Sequence, residues 1–110
     1  MKCEPGSIVL IPFPFSDLQS SKRRPVLMLT PPDINGDFIG LAITSKGYHL
    51  GAVELDRPSM RLGTLPYQSW IRTDKVFTLA QYLIVKYVGT VKDTIVEQAI
   101  TGLCDTLGQQ

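Results

Sequence analysis

Short apolar runs separated by turn residues set the pattern of this chain. Ser7–Pro14 (SIVLIPFP) is apolar and β-branched and is then interrupted by prolines. Neither Pro12 nor Pro14 can donate to a ladder, so the run predicts a strand that meets an edge or a bend there. Pro25–Thr30 (PVLMLT) and Asp37–Thr44 (DFIGLAIT) predict two more strands. Asn35-Gly36 lies between them, a dipeptide that takes positive φ at low cost and favours a tight antiparallel hairpin. Val53–Leu55, Gln68–Thr73 (QSWIRT) and Leu83–Val88 (LIVKYV) complete the set. Short strands with turn signals at this spacing indicate a small sandwich or barrel.

The period changes near the end. From Thr94 to Leu107 the apolar residues are Ile95, Val96, Ala99, Ile100, Leu103 and Leu107. Steps of three and four put them on one face of a helix. Thr90 followed by Asp93 fits a capping box, and Gly108 suits the residue just past the C-cap. Gly102 inside the helix costs about 1 kcal/mol relative to alanine. Such a helix would lie across a barrel and close one side of its core. Two connections, Phe15–Arg24 and Ser45–Ala52, are longer than hairpins require. Long loops on a rigid scaffold often carry function.

Composition narrows the class. The 110 residues are 44% hydrophobic and 19% charged, which is the make-up of one globular domain over residues 1–110 and not of a disordered tail. No apolar run approaches the ~18–20 residues of a membrane span. Met1–Gly6 shows no signal-peptide pattern, so a cytoplasmic protein without membrane contact is expected. The net charge of +1 excludes a strongly basic nucleic-acid coat, so any contact with nucleic acid must use a local patch. Cys3 and Cys104 stand at opposite ends and form no disulfide framework or zinc spacing. The chain carries no GxGxxG, Walker, HExxH or nucleophile-elbow motif. No cofactor and no metal are expected.

The candidate chemistry is concentrated in two places. Lys22-Arg23-Arg24-Pro25 is the only dense basic cluster. Pro25 disfavours helical backbone at Arg24 and holds it extended. Its guanidinium is a planar fork of donors matched to phosphate oxygens. Thr44-Ser45-Lys46 closes the third strand with two hydroxyls and an ammonium, again a set that suits phosphate. His49 is the sole histidine and so invites a role in proton transfer. Trp70, Phe13, Phe15, Tyr48 and Tyr67 are candidates for base stacking. Alternation sets Trp70 on the opposite face from Ile71. Arg72 with Asp74-Lys75 reads as a turn with a local ion pair.

The order of these features resembles a known family. A Gly-x-Ile-Val-x-x-x-Phe-Pro-Phe strand is followed by Lys-Arg-Arg-Pro-Val-Leu and Leu-Ala-Ile-Thr-Ser. Val-Glu-Leu, Gly-Thr-Leu and Ser-Trp-Ile-Arg-Thr-Asp-Lys-Val-Phe-Thr-Leu come next, then the closing helix. This arrangement is similar to the MazF/PemK toxins of type II toxin–antitoxin systems over about residues 5–107. The resemblance implies a mainly β fold with a C-terminal helix, the small SH3-like curved β-barrel of the CcdB/MazF (PemK) type, and a homodimer. It implies metal-independent, sequence-selective cleavage of single-stranded RNA by attack of the ribose 2′-OH, leaving a 2′,3′-cyclic phosphate. By position it implies Arg24 and Thr44 as catalytic residues and Phe15, Arg23, Ser45 and Lys46 as RNA-binding residues. It further implies a cognate antitoxin whose acidic C-terminal segment covers the basic loop. Ser7 departs from the aspartate common after the glycine, at a position read as structural.

The general base is left open between His49, Asp17 and Glu54, since arginine titrates too high to serve well. Two other readings stand beside the nuclease. One is a non-enzymatic, CcdB-like toxin that binds gyrase. The other is a decayed member that binds antitoxin or RNA without cutting.

Overall fold

The computed structural model describes residues 4–13 and 22–108, the side chains of Phe13 and Lys22 excepted. Seven strands and one helix follow in chain order. They are β1 (Ser7–Phe13), β2 (Lys22–Met28), β3 (Asp37–Thr44), β4 (Val53–Leu55), β5 (Met60–Gly63), β6 (Ser69–Ala80), β7 (Lys86–Val91) and α1 (Asp93–Thr106). They form one sheet in the order β4-β6-β3-β2-β1-β7-β5, with every pairing antiparallel. The two outermost strands, β4 and β5, are consecutive in the chain. Only a single 3₁₀ turn, Arg57–Ser59, joins them, so the sheet curls round until its ends meet. The result is the mainly β, nearly closed barrel with one terminal helix that the sequence implied.

The first strands read as continuous apolar runs because both faces of the sheet are covered. Ile8, Leu27, Leu41, Ile43 and Ile71 face one core, which α1 caps with Ile95 and Ala99. Val9, Ile11, Val26, Met28 and Phe38 face a second, covered by Phe77, Leu79, Leu83 and Ile84. Burying one such side chain contributes roughly 1.5–3 kcal/mol. The helix therefore closes one side of the barrel as expected, and Gly102 has a physical reason. A Cβ there would sit 2.6 Å from Cγ2 of Thr73, which is buried on β6. The glycine gives up helix propensity so that α1 can approach the sheet.

Several local expectations are corrected. The helix does not start with a capping box at Thr90. That residue is buried on β7 with its hydroxyl against the Tyr87 hydroxyl, and Lys92 occupies the N-cap without a side-chain bond. At the other end Gly108 has φ +79° and its N–H donates to the Asp105 carbonyl, as a residue past the C-cap should. Asn35-Gly36 is a turn, but only Gly36 takes positive φ. The corner is held by Asp33, whose Oδ1 accepts from the Asn35 and Asp37 amides at 2.8 and 3.0 Å. Residues 72–75 are a bulge and not a turn. β3 advances from Leu41 to Ile43 while β6 runs from Val76 back to Ile71, so β6 bends and continues to Ala80. Pro12 lies where β1 has left β7 behind and pairs with β2 alone, which is the edge position a proline needs.

No described helix is long and apolar enough to cross a membrane. Cys104 is an exposed free thiol on α1, and Cys3 lies outside the described residues.

Candidate functional site

The site begins where a ladder stops. β2 and β3 pair at Met28↔Gly40, Leu27↔Leu41 and Val26↔Ala42. The next residue back on β2 is Pro25, which has no N–H to donate. Past that point the two strands border a groove of about 670 Å³. Arg24 on β2 and Thr44 on β3 each lie two residues beyond the last pair. By alternation both lie on the face of Val26 and Ala42. Both line the groove, together with Arg23, Ser45 and Lys46. The two segments singled out in the sequence are thus brought together, and Arg24 and Thr44 share one side of the sheet.

Of the far wall, only Tyr67 was a candidate in the sequence, as one of several aromatics suited to base stacking. Tyr67 and Thr64 come from the connection between β5 and β6, and Lys86 from the start of β7, where it pairs with Leu10. Lys86 could have been noticed as the one charge inside the apolar run LIVKYV. Four cations, Arg23, Arg24, Lys46 and Lys86, line this groove and no carboxylate does, among the described residues. Four of the eleven Lys and Arg in a chain of net charge +1 line this one cleft.

Thr44 is set for donation. The Lys46 amide donates to Thr44 Oγ1 at 3.1 Å. A hydroxyl holds one proton and two lone pairs, so occupation of a lone pair leaves the proton to be given. This small turn rests on Trp70. In the β3–β6 register Thr44 faces Trp70, and a Cβ on Gly47 would lie only 2.5 Å from Cζ2 of the indole. The Gly47 backbone is therefore seated on the ring. Trp70 is half-buried and Ile71 fully buried, on opposite faces as alternation requires.

The remaining candidates are elsewhere. His49 does not line the groove; its ring lies 4.4 Å from that of Tyr48, beside the β6 bulge. There Arg72 Nε and Nη2 donate to the two Asp74 oxygens at 2.9 and 2.6 Å. Those bonds hold the Asp74 carboxyl below its ordinary range and raise the Arg72 guanidinium above its own. The expected ion pair is present, on a bulged strand. Glu54 pairs with Trp70 from β4, and its Oε2 accepts from Gln68 Nε2 at 3.2 Å. Phe15 and Asp17 lie outside the described residues. No group of three or more His, Cys, Asp or Glu is gathered among the described residues.

A strongly bent antiparallel sheet, one helix across its opening and a cationic cleft at the β2–β3 ends define a class of small curved-barrel proteins. Solved structures of that class superpose over nearly the whole chain. MazF from Deinococcus radiodurans gives a TM-score of 0.78 at 18% identity, covering 99% of each chain. A MazE–MazF complex from the same organism gives 0.75 at 18% identity, covering 100% of this chain and 99% of that one. An endoribonuclease from Mycobacterial species gives 0.72 at 17% identity, covering 98% and 93%. A comparison with curated protein sequences finds no match. The family described as PemK-like, MazF-like toxin of type II toxin–antitoxin systems matches residues 4–107, and the chain belongs to it.

Proposed function

We propose that this toxin is a metal-independent endoribonuclease that cuts single-stranded RNA with sequence selectivity, Arg24 and Thr44 acting on the scissile phosphate. The observation that carries the reading is that Arg24 and Thr44 both line one groove with Arg23, Lys46 and Lys86, and that no carboxylate lines it among the described residues. The relatives of similar fold include proteins described as endoribonucleases and as MazF.

RNA brings its own nucleophile. The ribose 2′-oxygen attacks the adjacent phosphorus, the P–O5′ bond breaks, and the O5′ leaves with a proton, giving a 2′,3′-cyclic phosphate and a 5′-hydroxyl. The protein has to hold the 2′-oxygen in line, stabilise charge on the phosphorane, and manage two protons. Arg24 supplies a charged fork to the non-bridging oxygens, and Thr44 donates its free hydroxyl proton to the same centre. Arg23, Ser45 and Lys46 hold the flanking backbone, and Phe15 joins them in binding RNA. Neither His49 nor Glu54 lines the groove, and Asp17 lies outside the described residues, so the group that removes the 2′-proton is left open. DNA, without the 2′-hydroxyl, is not a substrate.

The same charge fits a protein inhibitor. A cognate antitoxin with an acidic C-terminal segment would find four cations in one cleft and would exclude RNA by occupying it. A MazE–MazF complex stands among the relatives of similar fold. The working form is a homodimer.

The test is purified protein in excess EDTA with a long defined RNA, its cuts mapped by primer extension, alongside Arg24→Ala and Thr44→Ala. Discrete cuts that both variants lose are expected. Cutting that survives both changes rejects the site. An inert wild type that instead blocks gyrase supercoiling supports the CcdB-like reading.

A further inference from the structure

Beside the groove lies a second hollow that the proposed reaction does not use. It sits at the seam of the barrel, where β4 ends and β5 begins, and has a volume of about 280 Å³. That lies near the lower end of the ~300–1,000 Å³ range typical of small-ligand sites. The hollow and the groove share the segment from Thr64 to Tyr67 as a common wall. Tyr67 stands on that wall and is 74% exposed. A chain lying in the groove thus needs only to cross one tyrosine to enter the seam.

The lining specifies an occupant. Leu55, Met60 and Leu65 give an apolar floor. Charge in the hollow is balanced, Asp56 against Arg57, which suits a neutral planar group better than a phosphate. Asp56 is fixed in place: its Oδ1 accepts from Ser59 Oγ at 2.8 Å, and its amide donates back to the same hydroxyl at 3.2 Å. Gln68 is also fixed, because its Nε2 donates to the Leu55 carbonyl at 3.0 Å and to Glu54, which leaves its Oε1 as an acceptor. Two held acceptors and a guanidinium surround an apolar floor, with an aromatic ring at the rim. Single-stranded RNA is recognised in such places by splaying a base out, stacking it and reading its edge.

We infer that the seam hollow is a subsite for one unstacked base of the RNA flanking the cut, Tyr67 stacking on it and Asp56 and Gln68 accepting from its exocyclic amino group. This rests on the proposed RNA cleavage. Uracil, which has no such amino group, is disfavoured there. The site adds sequence selectivity without touching the reacting atoms.

The experiment uses the full-length toxin and a set of short RNAs spanning one mapped cut, each with a single abasic or uracil replacement at a flanking position. One position should show a drop in kcat/KM of about 5- to 150-fold when abasic, the range that base–aromatic stacking supplies. In Tyr67→Ala that same replacement should cost nothing further, with Arg57→Ala weakening the preference at the same position. Both residues are exposed, so unchanged Tm values are expected. A flanking-base profile identical in wild type, Tyr67→Ala and Arg57→Ala overturns the subsite while the cleavage reading stands. A wild type that cuts none of these RNAs, or any RNA, overturns both. A profile that changes only in Arg23→Ala places the selectivity in the groove and also overturns the subsite.

Discussion

Replacing Gly47 by alanine adds one methyl group under the turn that carries Thr44. The glycine is not in the left-handed region, so its backbone accepts a side chain, and any penalty comes from the indole below. The new Cβ would lie 2.5 Å from Cζ2 of Trp70 and 2.8 Å from both Cε2 and Cη2. Carbon atoms settle at about 3.5–4.0 Å, so the ring and the turn must part by about 1 Å. Overpacking of this kind costs about 1–3 kcal/mol. For a domain this small each kcal/mol lowers Tm by roughly 4–8 °C. Displacement of Thr44 by a comparable distance should reduce RNA cleavage by up to about 100-fold. Thermal unfolding and kcat/KM on a mapped RNA measure the two effects, and a Trp70→Ala background separates them. With the ring removed, Gly47→Ala should cost little of either. Wild-type activity in Gly47→Ala, or an equal loss with and without Trp70, would refute the claim that the indole seats the turn.

Gly102→Ala gains about 1 kcal/mol of helix propensity but meets Thr73 Cγ2 at 2.6 Å, so Tm should fall; Thr73→Ala in the same chain should restore it. Gly89→Ala drives a Cβ to 2.5 Å from the Leu62 carbonyl, a backbone atom, and should cost more stability than Gly47→Ala in a urea titration. Asp74→Asn removes a paired carboxylate whose pKa is lowered in the folded protein. Its stabilisation is present above the ordinary carboxylate pKa and is lost as pH falls through the lower folded value. The pair is solvent-exposed and worth no more than about 1 kcal/mol. The Tm gap between wild type and Asp74→Asn should therefore be small at pH 7 and close on acidification below about pH 4. Arg24→Lys keeps the charge but not the fork, and should still lose most cleavage, about 100-fold or more, because a point charge cannot meet two phosphate oxygens in the same geometry.

The strands with apolar runs were legible because burial on both faces wrote itself into composition, as in Ile8–Ile11. β5 was not, since Met60–Gly63 buries almost nothing and is held by its ladder to β7. The second half of β6 was hidden by Arg72, Asp74 and Lys75, charges that fit a turn in sequence and occupy a bulge in space. The basic cluster at Lys22–Arg24 read as loop because charge argues for solvent, yet pairing with β1 makes it strand. Arg24 and Thr44 were singled out by the order of motifs that resembles the MazF/PemK toxins, and the structure puts both in the lining of one groove. Tyr67 was a stacking candidate among five aromatics, but its place beside the basic cluster, like that of Lys86, comes from the curl of the sheet, and no local pattern records that.

The most direct measurement is the chemistry of the cut ends. Mass spectrometry of fragments from an RNA oligonucleotide, cleaved in EDTA, should show a 2′,3′-cyclic phosphate on one fragment and a 5′-hydroxyl on the other. The same oligonucleotide with a single 2′-deoxy nucleotide at the cut should remain whole. Fragments bearing a 5′-phosphate, or scission of the 2′-deoxy strand, would contradict an enzyme that relies on the substrate's own hydroxyl, with Arg24 and Thr44 around the phosphate.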